Sequence, residues 1–281
     1  MLKSSARTDL ASEAGARLDT LPDGVISDTL TLCGCKVSSV IISTPDAAEA
    51  LGKPTGKYLT LEMVNYVSRR EPDFSSCAGA LREILLSFPA VEKGRSFLVA
   101  CLGNRAVTPD AVGPYAADSI LVTRHLKASL PKDFAAFSSV SVLRTGVLGT
   151  TGIESAQAIK SACSVVEPDC VIVIDALASG EAARLCRSVQ ICDTGISPGS
   201  GVGNDRAAVN EELLGCPVIA VGVPTVTDAS ALTDDTSAER LFVTPRNIDE
   251  LVRASAKLIA YGINLALHPG LDIADIDALI E

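Results

Sequence analysis

Tryptophan is absent from the 281 residues, histidine occurs twice, and aromatic side chains make up 4% of the chain. A core for a chain of this length must therefore be built from Val, Ile, Leu and Ala, which suits strands buried on both faces with helices packed against them. Long hydrophobic runs are also missing. None reaches the roughly 18 residues that would cross a bilayer, and Met1–Leu10 has no apolar stretch of the kind that directs secretion. Positive charge is in deficit, with 24 Lys and Arg against 34 Asp and Glu and a formal charge of −10. That charge disfavours a nucleic-acid phosphate backbone, which needs clustered Lys and Arg, and no direct nucleic-acid partner is expected. No Cys-x-x-Cys pair occurs. The nine Cys are scattered, several inside apolar runs where a free thiol behaves as a small hydrophobe, and Cys33-Gly34-Cys35 is too tight for a zinc knuckle. Reduced thiols, a cytoplasmic location, no membrane contact, no metal and no cofactor are expected.

What is present alternates. Val37–Ser43 and Tyr58–Val64 read as strands around a helical 46–51 segment, and Cys77–Phe88 has helical spacing at Leu81, Ile84, Leu85 and Phe88. Phe97–Leu102, Ser139–Leu143, Cys170–Asp175, Val189–Cys192 and Val218–Val223 are short apolar runs of strand type. Between them, Val112–Leu130 and Ile153–Val166 read as helices, and Asn247–Leu267 is an amphipathic helix with an Asp249/Arg253 pair one turn apart. A helical signal also spans Leu10–Leu18. Strands alternating with helices predict an α/β fold with a largely parallel sheet flanked by helices. No linker divides the chain, so residues 1–281 are expected to form a single domain.

In open α/β sheets ligands bind beyond the carboxyl ends of the strands. Two acidic residues fall there: Asp110, in the loop after Phe97–Leu102, and Asp175, which closes Cys170–Ile174. If the two strands are neighbours, both carboxylates face one crevice and titrate as a pair, one protonated while the other is ionised. Such a pair can activate water and donate a proton. Each Asp could instead cap a following helix, and Asp110 is well placed to cap residues from Ala111 onward.

More specific are Arg7-Thr-Asp-Leu-Ala11, Gly52-Lys-Pro-Thr-Gly-Lys-Tyr-Leu-Thr-Leu-Glu62, Leu102-Gly-Asn104, Val107-Thr-Pro-Asp-Ala-Val-Gly-Pro114 and Ile174-Asp-Ala-Leu177. Asp193-Thr-Gly-Ile-Ser-Pro-Gly-Ser-Gly-Val-Gly-Asn204, Pro217–Val226, Val243–Asp249 and Gly262–His268 continue the series. In this order, from about residue 6 to residue 268, they resemble the germination proteases of spore-forming bacteria. The resemblance implies an endopeptidase of atypical aspartic type that degrades small acid-soluble spore proteins at germination, cutting after acidic residues. It implies Asp110 and Asp175 as the catalytic pair, a fold like that of hydrogenase-maturation proteases, and a homotetramer in the spore or forespore interior. The family's zymogens remove their own N-terminal segment before a hydrophobic residue and Ala. Asp9-Leu10-Ala11 fits, so residues 1–9 are expected to be a short propeptide cut between Asp9 and Leu10. Ser197 stands where many members carry His, which weakens any metal-holding or His-assisted third group.

Asp193-Thr194-Gly195 matches the tripeptide of pepsin-like proteases, but a single copy in an α/β pattern reads as a structural loop beside the cleft. Gly199, Gly201 and Gly203 lack the third glycine spacing of a dinucleotide site and are read as a tight turn lining the cleft, which Asn104 is also expected to line. His125 and His268 are read as packing or capping residues, and Lys53 and Lys57 flank a turn. The competing functions are a metal-dependent maturation endopeptidase on the same fold and a non-catalytic binding protein.

Overall fold

The computed structural model describes residues 7–18, 20–63, 65–68, 73–92, 94–203, 206–232 and 241–280. The first half runs α1 (Ala11–Ala16), β1 (Val25–Leu32), β2 (Cys35–Ile42), α2 (Pro45–Leu51), β3 (Gly56–Glu62), α3 (Asp73–Leu86), β4 (Ser96–Leu102), α4 (Val112–Ala116), α5 (Arg124–Ser129) and β5 (Ser139–Gly146). The second half runs α6 (Leu148–Thr151), α7 (Ser155–Val166), β6 (Cys170–Ser179), β7 (Ser188–Cys192), α8 (Glu211–Leu214), β8 (Val218–Asp228), β9 (Phe242–Val243), α9 (Ile248–Leu267) and α10 (Ile273–Ile280).

All nine strands of the described residues join one sheet in the order β1-β2-β3-β7-β8-β6-β4-β5, with β9 on β8. The parallel character expected from the alternation belongs to β8-β6-β4-β5, whereas β1, β2, β3 and β7 pair antiparallel. β1 had no counterpart in the sequence reading, because Ser27-Asp28-Thr29 interrupts its apolar residues and its side chains are mostly exposed. Cys33 and Gly34, both at positive φ, form the two-residue turn that joins it to β2.

β4 and β6 are apolar along nearly their whole length because helices cover both faces. Phe97, Val99, Cys101, Ile172 and Ile174 pack with α3 and α9 around Leu81, Ile84, Leu258 and Ile259, where Phe74 meets Tyr261 edge-on at 5.4 Å. On the opposite face Leu98, Ala100, Val171 and Val173 meet Ala156 and Ile159 of α7. Each fully buried aliphatic side chain in these layers contributes about 1.5–3 kcal/mol. Strand alternation then puts Asp175 in the row of Val171 and Val173, on the α7 face.

Three expectations are corrected. The 112–130 segment is two short helices, because the stretch between them is held off helical geometry by buried Asn264, which accepts from Leu121 N at 3.0 Å and donates to Ser119 O at 2.8 Å. Asp249 and Arg253 take other partners: Asp249 accepts from Thr108 Oγ at 2.9 Å, and the Arg253 guanidinium lies 4.2 Å from the Tyr115 ring centre. Asp175 does not end its strand, since Ala176–Ser179 continue to pair with β8.

Candidate active site

β4 and β6 are parallel neighbours, with Cys101 opposite Ile174, so the loop leaving β4 and the distal part of β6 open into one cleft of about 630 Å³. Asp110 and Asp175 both line it. The loop from Gly103 to Asp110 is closed by its own main chain. Asn104 N donates to Asp110 O at 3.1 Å and to Asp110 Oδ2 at 2.9 Å, and Asp110 N donates to Val107 O at 2.8 Å. Gly103 is at φ +109°, and a Cβ there would stand 2.0 Å from Asp110 O, so this loop geometry requires glycine. The alternative of a helix cap is ruled out, because Ala111 occupies the N-cap position of α4 and no side chain caps it.

Asp175 is 5% exposed, and its Oδ1 accepts from Ala176 N at 2.9 Å. Burial pushes the Asp110 carboxyl up to about 6 despite the Asn104 N–H, which favours the ionised form. Burial raises Asp175 well above the carboxylate range, and the charges of Asp110 and Asp9 add to the effect, opposed by Ala176 N–H. The Asp175 carboxyl is thus held protonated by its burial and by the charge of Asp110 beside it.

The cleft holds part of the chain itself. Asp9 N donates to Ala178 O at 2.9 Å, Ala178 N donates to Asp9 Oδ2 at 2.8 Å, and Ser200 Oγ donates to Asp9 Oδ1 at 3.0 Å. Gln190 brackets the next peptides, donating Nε2 to Asp9 O at 3.0 Å and accepting from Ala11 N at 2.7 Å. Gln190 pairs with Gly222, which pairs with Asp175, so these three residues form one row across the sheet on one face. Leu10 and Ala11 are 0% exposed. Glu13 anchors the segment from behind, accepting from Gly180 N at 2.7 Å and from Ser179 Oγ, with Arg184 Nε 3.5 Å away.

Other residues singled out in the sequence are distributed unevenly. Gly199 and Gly201 line the cleft, whereas Gly203 sits against the Arg7 guanidinium. Asn104 acts on the cleft through its main chain, by holding Asp110. Asp193 is not among the residues lining this cleft: it is exposed, and its Oδ1 accepts from Lys57 N at 2.8 Å at the start of β3. Ser197 and His125 are exposed. His268 is buried against Phe137, and burial lowers its imidazole to about 4. Lys53 Nζ donates to Thr8 O at 3.0 Å, and Lys57 Nζ to Ser87 Oγ at 3.0 Å. Among the described residues no group of three His, Cys, Asp or Glu is placed to hold a metal ion, and no helix is long and apolar enough to cross a membrane. Residues 1–6, most of the expected propeptide, lie outside the described residues.

Sequence reading missed Gln190 and Ser200. Gln190 carried a usable signal, a lone amide within the apolar run Val189–Cys192, buried to 6% exposure. Ser200 carried none, since serine between two glycines reads as any turn.

A family profile described as germination protease matches residues 9–238. A germination protease of Clostridium perfringens is 37% identical over 326 aligned positions that cover 99% of each chain. The germination protease of Caldanaerobacter subterraneus is 40% identical over 289 positions, covering 88% of this chain and 89% of that one. That of Priestia megaterium is 41% identical over 276 positions, covering 92% and 73%. Among solved structures, a nickel–iron hydrogenase maturation protease, HycI of Thermococcus kodakarensis, aligns with 66% of this chain and 98% of its own at 18% identity and a TM-score of 0.41.

Proposed function

Because the chain belongs to the germination protease family, we propose that it is an endopeptidase in which Asp110 and Asp175 are the catalytic pair and whose substrates are small acid-soluble spore proteins. The observation that carries this reading is the shared cleft: one carboxyl in the loop leaving β4 and one on the neighbouring parallel strand β6, both displaced upward by burial. The more deeply buried Asp175 keeps its proton and donates it to the scissile carbonyl oxygen. Ionised Asp110 takes a proton from water as the water oxygen attacks the carbonyl carbon. Collapse of the tetrahedral species breaks the C–N bond, and a proton passes from the pair to the leaving amine. Cleavage after acidic residues, self-removal of residues 1–9 at the Asp9–Leu10 bond, assembly as a homotetramer and action inside the spore or forespore belong to the same reading.

The test is cleavage of a purified small acid-soluble spore protein, followed by mass spectrometry across pH. Wild type is expected to cut after acidic residues, with the rate falling below about pH 6 as Asp110 takes up its proton. Asp110→Asn and Asp175→Asn are each expected to lose at least about 10³-fold in kcat/KM. Activity within tenfold of wild type in either variant removes that residue from the mechanism.

A further inference from the structure

Asp9 is held by more than a loop residue needs. Its two carboxylate oxygens are divided between two donors, Ala178 N at 2.8 Å and Ser200 Oγ at 3.0 Å, while its own main-chain N–H and C=O are taken by Ala178 O and Gln190 Nε2. The carboxylate fills a slot with almost no slack, since a Cβ on Gly201 would stand 2.1 Å from Asp9 Oδ2. Lys53 supplies positive charge beside it: burial lowers that ammonium, and the Asp9 charge works against the lowering. Asp9, Ala178 and Gly201 line the cleft of Asp110 and Asp175, while Ser200, Gln190 and Lys53 reach Asp9 from an adjoining cavity of about 620 Å³ that shares Asp9 and Gly201.

From this geometry we infer that Ala178 N–H and Ser200 Oγ form the subsite that reads the acidic side chain of a peptide substrate, with Gln190 holding the main chain on either side of it. The inference rests on the endopeptidase reading above and adds to it the residues that set its preference. In the intact chain Asp9 occupies the subsite as a substrate side chain would. Extended main chain bonded to a strand edge, with one side chain in a shaped slot, is how peptide grooves combine affinity with selectivity. A hydrogen bond to a charged group is strong enough for the loss of one donor to be read directly in rates.

The experiment uses the full chain and two peptides with the sequence of residues 7–14, one carrying Asp at the position of Asp9 and the other Asn, with the cut bond identified by mass spectrometry. Ser200→Ala is expected to lower kcat/KM on the Asp peptide by about 10- to 100-fold and on the Asn peptide by a few-fold at most. The Asp/Asn preference therefore shrinks. An equal loss on both peptides, or no loss on either, overturns the subsite while leaving the peptidase reading intact; the contacts of Asp9 would then merely tether the N-terminal segment. A wild-type chain that cuts neither peptide nor itself removes the peptidase reading, and the subsite with it.

Discussion

Asp110→Asn is expected to make the protein more stable while disabling it. Burial raises the Asp110 carboxyl from near 3.8 to about 6, so the ionised form costs about 3 kcal/mol at neutral pH. Partial exposure of the group screens this, and a net gain of about 1–2 kcal/mol remains for the uncharged amide. Its oxygen can still accept from Asn104 N, and removing the charge also relieves Asp175. The sign follows from linkage. A carboxyl whose folded-state pKa is raised gives a stabilisation that is full below about pH 3.8 and is lost as pH rises through about 6. The variant has no such loss, so it should melt roughly 2–3 °C above wild type at pH 7.5. The stability difference should fall to about a third of its full size at pH 4.5. Thermal melts followed by circular dichroism at the two pH values measure this directly. Equal melting at pH 7.5, or a gain undiminished in acid, would show that the Asp110 carboxylate is not penalised by its surroundings, and the basis for its role as a general base near neutrality would go with it.

Two other substitutions probe how the cleft is built. Gly103→Ala forces a Cβ to within 2.0 Å of Asp110 O at a φ of +109°, so it should destabilise by about 2–4 kcal/mol in a denaturant melt and lower cleavage activity by displacing Asp110. An active, fully stable variant would mean that the loop from 103 to 110 has slack that these contacts do not suggest. Glu13→Ala removes a carboxylate 1% exposed and strands Gly180 N–H, while Ser179 Oγ keeps its bonds to Glu181, with an expected cost of about 2–3 kcal/mol and faster proteolysis ahead of α1. Unchanged stability would remove Glu13 as the anchor of that segment.

Much of this was legible in the chain. The apolar runs of β4 and β6 announce strands covered on both faces, and the positions of Asp110 and Asp175 after and within those runs follow from counting residues. The motifs fix the family. Charge and the lack of long apolar stretches narrow the partners. Local pattern could not determine which strands neighbour each other, because pairing is a long-range matter: β7 lies beside β8, which follows it closely, but on its other side meets β3, more than 100 residues earlier in the sequence. The same holds for Asp193, which has the surroundings of a catalytic tripeptide yet is turned outward to cap β3, and for Asp9. A single aspartate near the start of a chain looks like any helix-leading residue. Its placement between Ala178 and Ser200, in the row that runs from Gln190 through Gly222 to Asp175, exists only once the sheet has formed. Sequence determines which groups can ionise and which segments must be buried; desolvation and proximity, which decide where protons reside and what a groove can read, arise from packing of residues far apart in the chain.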